Sequence, residues 1–137
     1  MKRTRGCIHQ RGSALIEATL TLTLFLTFLF SLFDFGWVMF YHQTLVHQAR
    51  TGARYGAVNP GDLTAVQNMV LYNQTTGSGS GILGLQASNV SVGRSAAGTT
   101  NDRINVTVSG YKYVLITFGW AGSYTGKPIT VTIPVEN

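Results

Sequence analysis

The sequence predicts an α+β protein: a long amino-terminal helix whose first half spans a membrane, then a small head with a short helix and a three- to four-stranded antiparallel sheet. Three observations predict it. The run from Ala18 to Phe33 is apolar and uncharged, helical periodicity continues from it as far as Pro60, and beyond Val90 β-branched residues alternate with polar ones. With 137 residues, 45% of them hydrophobic and only 11% charged, the chain has room for one small domain beside the helix and not for two.

The first element is a basic leader, residues 1–12. Lys2, Arg3, Arg5 and Arg11 fall within it, so the formal charge of +5 drops, beyond Gly12, to six basic residues against five acidic ones, a net of +1. A basic stretch before an apolar run is a targeting and orientation signal that stays cytoplasmic. No basic face remains for nucleic acid. The one cysteine, Cys7, lies in this leader. It allows no intramolecular disulfide, and with His9 it supplies two ligands where structural zinc takes four. The preceding "TRGC" lacks the apolar residues expected before a lipidated cysteine.

The helix comes next, residues 13–58. From Ser13 to Tyr41 the only charges are Glu17 and Asp34. About 20 residues cross a bilayer core as a helix, so one crossing fits. The run exceeds the apolar region of a cleaved secretory signal and ends in "FDFGWVMFYHQ", bulky where that protease needs small residues. The helix therefore stays with the protein. Trp37, Phe40 and Tyr41 suit the far interface, which places the rest of the chain outside.

Within the helix, Thr19, Thr23, Thr27 and Ser31 recur every four residues. Such a stripe permits close helix packing with interhelical hydrogen bonds. Each hydroxyl can equally bond the carbonyl four residues back and face nothing in particular. Glu17, a turn from the boundary, can snorkel to the inner headgroups or meet a partner. Asp34 can mark the outer boundary, bond Ser31, or pair with His42 or Arg50 of a neighbouring helix; the boundary reading is favoured. His42 and His47 are five apart, which does not align them for a metal.

Past the membrane, Val38, Tyr41, Leu45, Val46, Ala49, Ala53 and Tyr55 keep a helical spacing, and Asn59, preceding Pro60, is driven out of helical conformation. A helix from Ser13 to Val58 is about 70 Å long. Gly52 and Gly56 form a G-x-x-x-G in its polar half, which allows either close backbone contact or local loosening.

The order of a basic leader, Gly12, four residues, Glu17 and a long apolar helix resembles that of type IV pilin precursors. The continuation "FDFGWVMFYHQTLVHQARTGARYGAV" resembles the TadE-like minor pilins, or pseudopilins, of tight-adherence (Flp-type) systems. The first sixty or so residues carry the likeness. The resemblance implies cleavage by a prepilin peptidase between Gly12 and Ser13, with Glu17 as the assembly carboxylate. The amine created at Ser13, with an ordinary pKa of about 7.7–8.0, would be largely protonated and could meet Glu17 of a neighbouring subunit. One position departs from the pattern: Flp-type proteins tend to carry an aromatic residue after the glutamate, where this chain has Ala18. That departure weighs more against an abundant shaft subunit than against a minor one.

The head, residues 59–137, opens with "PGDLTAVQNMVLYNQ". Asp62 is a good cap, and Leu63, Val66, Met69 and Val70 share a face, predicting a short amphipathic helix. "TTGSGSGILG" reads as a flexible connector. Its literal G-x-G-x-x-G at Gly79, Gly81 and Gly84 follows a helix and precedes an alternating strand, the wrong context for a dinucleotide site. Strands are predicted at Val90–Val92, Ile104–Val108 and Ile129–Val135, with a less regular fourth at Lys112–Phe118; "RSAAGTTND" and "GWAGSYTGKP" supply turns. Asn73, Asn89 and Asn105 head N-x-S/T triplets, which would matter in a glycosylating secretory pathway; in the bacterium that the pilin resemblance implies, they read as chance in an Asn/Thr/Ser-rich sequence.

No nucleophile, base and orienting group fall at a recognisable spacing, and no cofactor or metal is implied. The sequence is thus read as a structural subunit, not an enzyme. Its expected partners are other pilin subunits in a homo- or hetero-oligomeric filament, the prepilin peptidase, and the assembly platform of the inner membrane. Its expected place is the cytoplasmic membrane as a precursor, head outside, and then the cell surface or an extracellular filament serving attachment or secretion. The alternatives are a single-pass anchored binding domain that does not polymerise, and a major shaft subunit.

Overall fold

The computed structural model describes residues 8–115 and 123–136. Lys2, Arg3, Arg5 and Cys7 of the leader lie outside the described residues, as do residues 116–118 of the expected fourth strand and residues 119–122 of the turn after it.

The first helix, α1, runs from Ile8 to Val58, 51 residues or about 76 Å. Asn59 ends it. There the backbone N–H and side-chain Nδ2 both donate to the Tyr55 carbonyl, at 2.9 and 3.3 Å, before Pro60 forbids another turn. The second helix, α2, spans Leu63–Tyr72. Asp62 Oδ1 accepts the Ala65 N–H at 2.9 Å, the expected cap. Asn73, at φ +55°, stops the helix by donating its N–H to the Met69 carbonyl at 3.1 Å.

The two helices meet where α1 has no side chain. A Cβ on Gly52 would collide with Cγ2 of Val70, and one on Gly56 would lie 3.0 Å from Val66 Cγ2 and 3.1 Å from Ile104 Cγ2. Of the two possibilities for this G-x-x-x-G, the structure shows close contact. Leu45, Ala49, Gly52, Ala53, Gly56 and Ala57 are buried, returning every three or four residues, so α1 presents one narrow stripe of small residues to the head. The buried face of α2 consists of Ala65, Val66, Val70 and Leu71. Leu63, expected on that face, is exposed in the first turn, and Met69 is half-buried at its edge.

Five strands follow: β1 (Val90–Ser95), β2 (Arg103–Val108), β3 (Lys112–Val114), β4 (Ser123–Thr125) and β5 (Ile129–Pro134). They form a three-stranded antiparallel sheet in the order β1-β2-β5 and a separate two-stranded hairpin, β3-β4. The register places Val106 between Val92 and Val131, and Val108 between Val90 and Ile129. Ile104, Val106 and Val108 are fully buried, as their alternation predicts, and they close the core over α1 and α2. The opposite face is polar. Thr132 Oγ1 donates to Asn105 Oδ1 at 2.8 Å, and Thr107 and Thr130 share a hydroxyl contact of 3.2 Å.

The expected fourth strand does not join this sheet. Gly110, at φ +68°, turns the chain away after β2, and Tyr113 stacks on Tyr124 across the hairpin with ring centroids 6.2 Å apart. The connector is also more ordered than its composition suggests. Ile82–Gly84 forms a 3-10 turn, Leu85 is buried in the core, and the Gly81 N–H donates to the Leu85 carbonyl at 2.7 Å.

Candidate functional site

The candidate site is the uncovered length of α1. Among the described residues this is the one helix long and apolar enough to cross a membrane, and none of its most apolar stretch is buried against the rest of the chain. Leu15, Leu24, Phe28 and Phe33 are each more than 60% exposed. Apolar surface of that extent calls for lipid or other helices around it. From Ser13 to Phe35 the helix rises about 33 Å, enough for a hydrocarbon core of about 30 Å.

Gly12 and Ser13 lie one turn into α1, with nothing within 4 Å of a Cβ built on Gly12. One turn further, Glu17 is exposed, and Ala14 and Ala18 leave a shallow apolar notch beside it that is bounded by Thr21, Leu22 and Phe25. The residue that departs from the Flp-type pattern, Ala18, is one of the two small residues that open this notch.

The hydroxyl stripe adopts the local arrangement. Thr19, Thr23, Thr27 and Ser31 donate to the carbonyls of Leu15, Thr19, Thr23 and Thr27 at 2.8, 2.8, 2.8 and 2.9 Å. Thr21 does the same to the Glu17 carbonyl at 2.9 Å. Each hydroxyl still has acceptor capacity on the exposed surface. Asp34 differs from Glu17: it is only 6% exposed, although Phe33 and Phe35 beside it are exposed. His42 and His47 are exposed, and no group of three or more potential metal ligands occurs among the described residues.

Above the membrane-length segment, Tyr41 ties helix to head. Its hydroxyl donates to the Leu83 carbonyl at 2.5 Å, and its ring stacks on Tyr111, centroids 6.4 Å apart. A recess of about 280 Å³ lies beside these rings, lined also by Gln86, Asn89 and Lys112. Asn89 is already committed there, donating to the Ser109 carbonyl at 3.0 Å and accepting the Gln86 N–H at 3.0 Å. Among the described residues Lys112 is the one charged side chain that lines the recess, and no acid–base pair converges there.

At the far end of the head a second tie holds the sheet. Asp102, 3% exposed, accepts two hydrogen bonds from Arg94 Nε and Nη2 and a third from the Gly98 N–H at 2.9 Å. The Arg94 hydrogen bonds, then the Gly98 amide, hold the Asp102 carboxyl below its usual range. Its backbone carbonyl accepts the Val135 N–H, and the Glu136 N–H donates to the Ala57 carbonyl, at 2.9 and 3.1 Å. Sequence reading missed this tie. The eight-residue separation of Arg94 and Asp102 carries no periodic signal, and the hairpin alone brings them together.

These features fit a membrane protein with one amino-terminal helix long and apolar enough to anchor it and a small α+β head. Residues 12–54 match the family model described as TadE-like protein. The match covers most of α1 and none of the head, and it fits a pilus-associated membrane protein of the tight-adherence type. Comparison with curated proteins and with solved structures gives no match.

Proposed function

We propose that the chain is a TadE-like minor pilin or pseudopilin, cut after Gly12 by a prepilin peptidase and assembled through its apolar helix into a pilus or secretion filament. The observation that carries this reading is an apolar helix whose most apolar stretch is uncovered, with a carboxylate, Glu17, five residues beyond Gly12. A carboxylate at the edge of the hydrocarbon is costly unless partnered or close to headgroups. Cleavage would remove the four leader charges and create at Ser13 the cation that Glu17 lacks. Gly12 favours the cut, since glycine weakens a helix by about 1 kcal/mol relative to alanine and nothing described lies within 4 Å of a Cβ built there. The role is structural, with other pilin subunits, the peptidase and the inner-membrane assembly platform as partners. The head would stand outside the cytoplasmic membrane and then on the cell surface, in attachment or secretion.

The test is the amino terminus of the protein recovered from cells, read by intact mass and terminal sequencing, beside a Gly12→Leu control. A terminus at Ser13 that vanishes in the control supports pilin-type processing, and Glu17→Gln should then leave cleavage intact and abolish assembly. A retained leader points instead to a tethered exported domain.

A further inference from the structure

The exposed ridge of α1 beside the head carries unused charge. With Leu45, Ala49, Ala53 and Ala57 turned into the core, Arg50, Arg54 and Val58 stand on the opposite side, all exposed. Arg94 is held by Asp102, whereas among the described residues no ion pair involves Arg50 or Arg54. Glu136 is exposed and equally without a cation, yet it is not on a loose end: its N–H is bonded to the Ala57 carbonyl and the preceding Val135 to Asp102. Its backbone is therefore held level with the last turn of α1, and its exposed carboxylate starts from there.

We propose that Arg54 of one subunit pairs with Glu136 of an adjacent copy of this chain, in the same register that brings the Ser13 amine to Glu17. The inference rests on the assembly reading above. If that amine in one subunit is level with Glu17 in the next, parallel helices are offset by four residues, about 6 Å. The same offset lifts Arg54 to the level of Val58, one residue past Ala57, where Glu136 is tethered. One subunit then supplies both cations and its neighbour both carboxylates, at contacts about 60 Å apart along the helix. Two such separated pairs define an axial register that a smooth apolar helix cannot define alone. Because different surfaces meet, the contact repeats from subunit to subunit and does not close into a dimer. Back-to-back packing of two Arg50–Arg54 ridges is disfavoured by their like charge.

The test uses filaments sheared from cells producing the full chain. Arg54→Glu and Glu136→Arg change exposed side chains, so protease resistance of the head should be unaltered. Each alone is expected to lower filament yield about tenfold or more through like-charge contact, and the double reversal to restore it. Arg54→Cys with Glu136→Cys, in a Cys7→Ser background, should give a disulfide-linked ladder that neither single cysteine gives. If wild-type filaments form and single reversals leave the yield unchanged, the contact is wrong and the assembly reading stands. The contact is equally wrong if the double reversal is no better than the singles and no ladder forms. If the wild-type protein keeps its leader and makes no filament, the assembly reading fails and the contact with it.

Discussion

Gly52→Ala sets two known effects against each other at one atom. Helix propensity favours alanine over glycine by about 1 kcal/mol inside a helix. Against this, the new methyl would sit on Val70 Cγ2, with the Val66 carbonyl oxygen at 3.2 Å and the Val70 amide nitrogen at 3.5 Å behind it. Valine is stiff about χ1 and the other two obstacles are backbone, so α2 must shift as a body; overpacking of this kind costs about 1–3 kcal/mol. The balance is a net loss of about 1 kcal/mol, which for a head of this size lowers Tm by about 5 °C.

Thermal unfolding of the detergent-solubilised full chain measures it, with Gly61→Ala as the opposing control. Gly61 has nothing within 4 Å and no positive φ, so alanine there should raise stability by about 0.4–1 kcal/mol through the unfolded chain alone. Val70→Ala should relieve the clash. The double variant would then lose about 1 kcal/mol less than the sum of the singles. If Gly52→Ala raised Tm as Gly61→Ala does, α2 would not be seated on this glycine and the close contact between α1 and α2 would be wrong.

Two further predictions concern buried polar groups, one in the head and one on the face of α1 that packs against it. Because Asp102 titrates below its usual range when folded, the stability it contributes is full at neutral pH and is lost as pH falls through that lowered value. Asp102→Asn should be less stable at pH 7 and converge with the wild type in acid; acid-unfolding curves that stay parallel would refute the assignment. Gln48 Oε1 is buried with no hydrogen-bond partner, so Gln48→Met, similar in volume, should raise stability by about 1 kcal/mol in the same thermal assay, and a loss would show that the amide has an unrecognised role.

The legible parts of the fold are those that depend on local chain chemistry. Asp62 could be read as a cap because a carboxylate two residues after a proline, ahead of an apolar period, has few other uses. The burial of Ile104, Val106 and Val108 followed from an alternation that only one sheet face can satisfy. The proposed processing site is a purely linear pattern, Gly12, Ser13 and Glu17 before an apolar run, and the family match begins at that glycine. What the hydroxyl stripe meets was not legible, because a threonine's bond to the carbonyl four residues back and its contact with another helix leave the same spacing in sequence.

By itself, then, the sequence determined that a long apolar helix leads and that a short capped helix and alternating strands follow. Those properties come from period, charge and backbone preference within a few residues. The tertiary structure alone decided that Gly52 and Gly56 are contact points and not weak ones, since that depends on Val66, Val70 and Ile104 arriving from elsewhere in the chain. It likewise decided that β3 leaves the main sheet for its own hairpin, that Leu85 docks into the core from a glycine-rich loop, and that Asp102 closes on Arg94. Each of these is a meeting of residues whose separation along the chain carries no repeat to read.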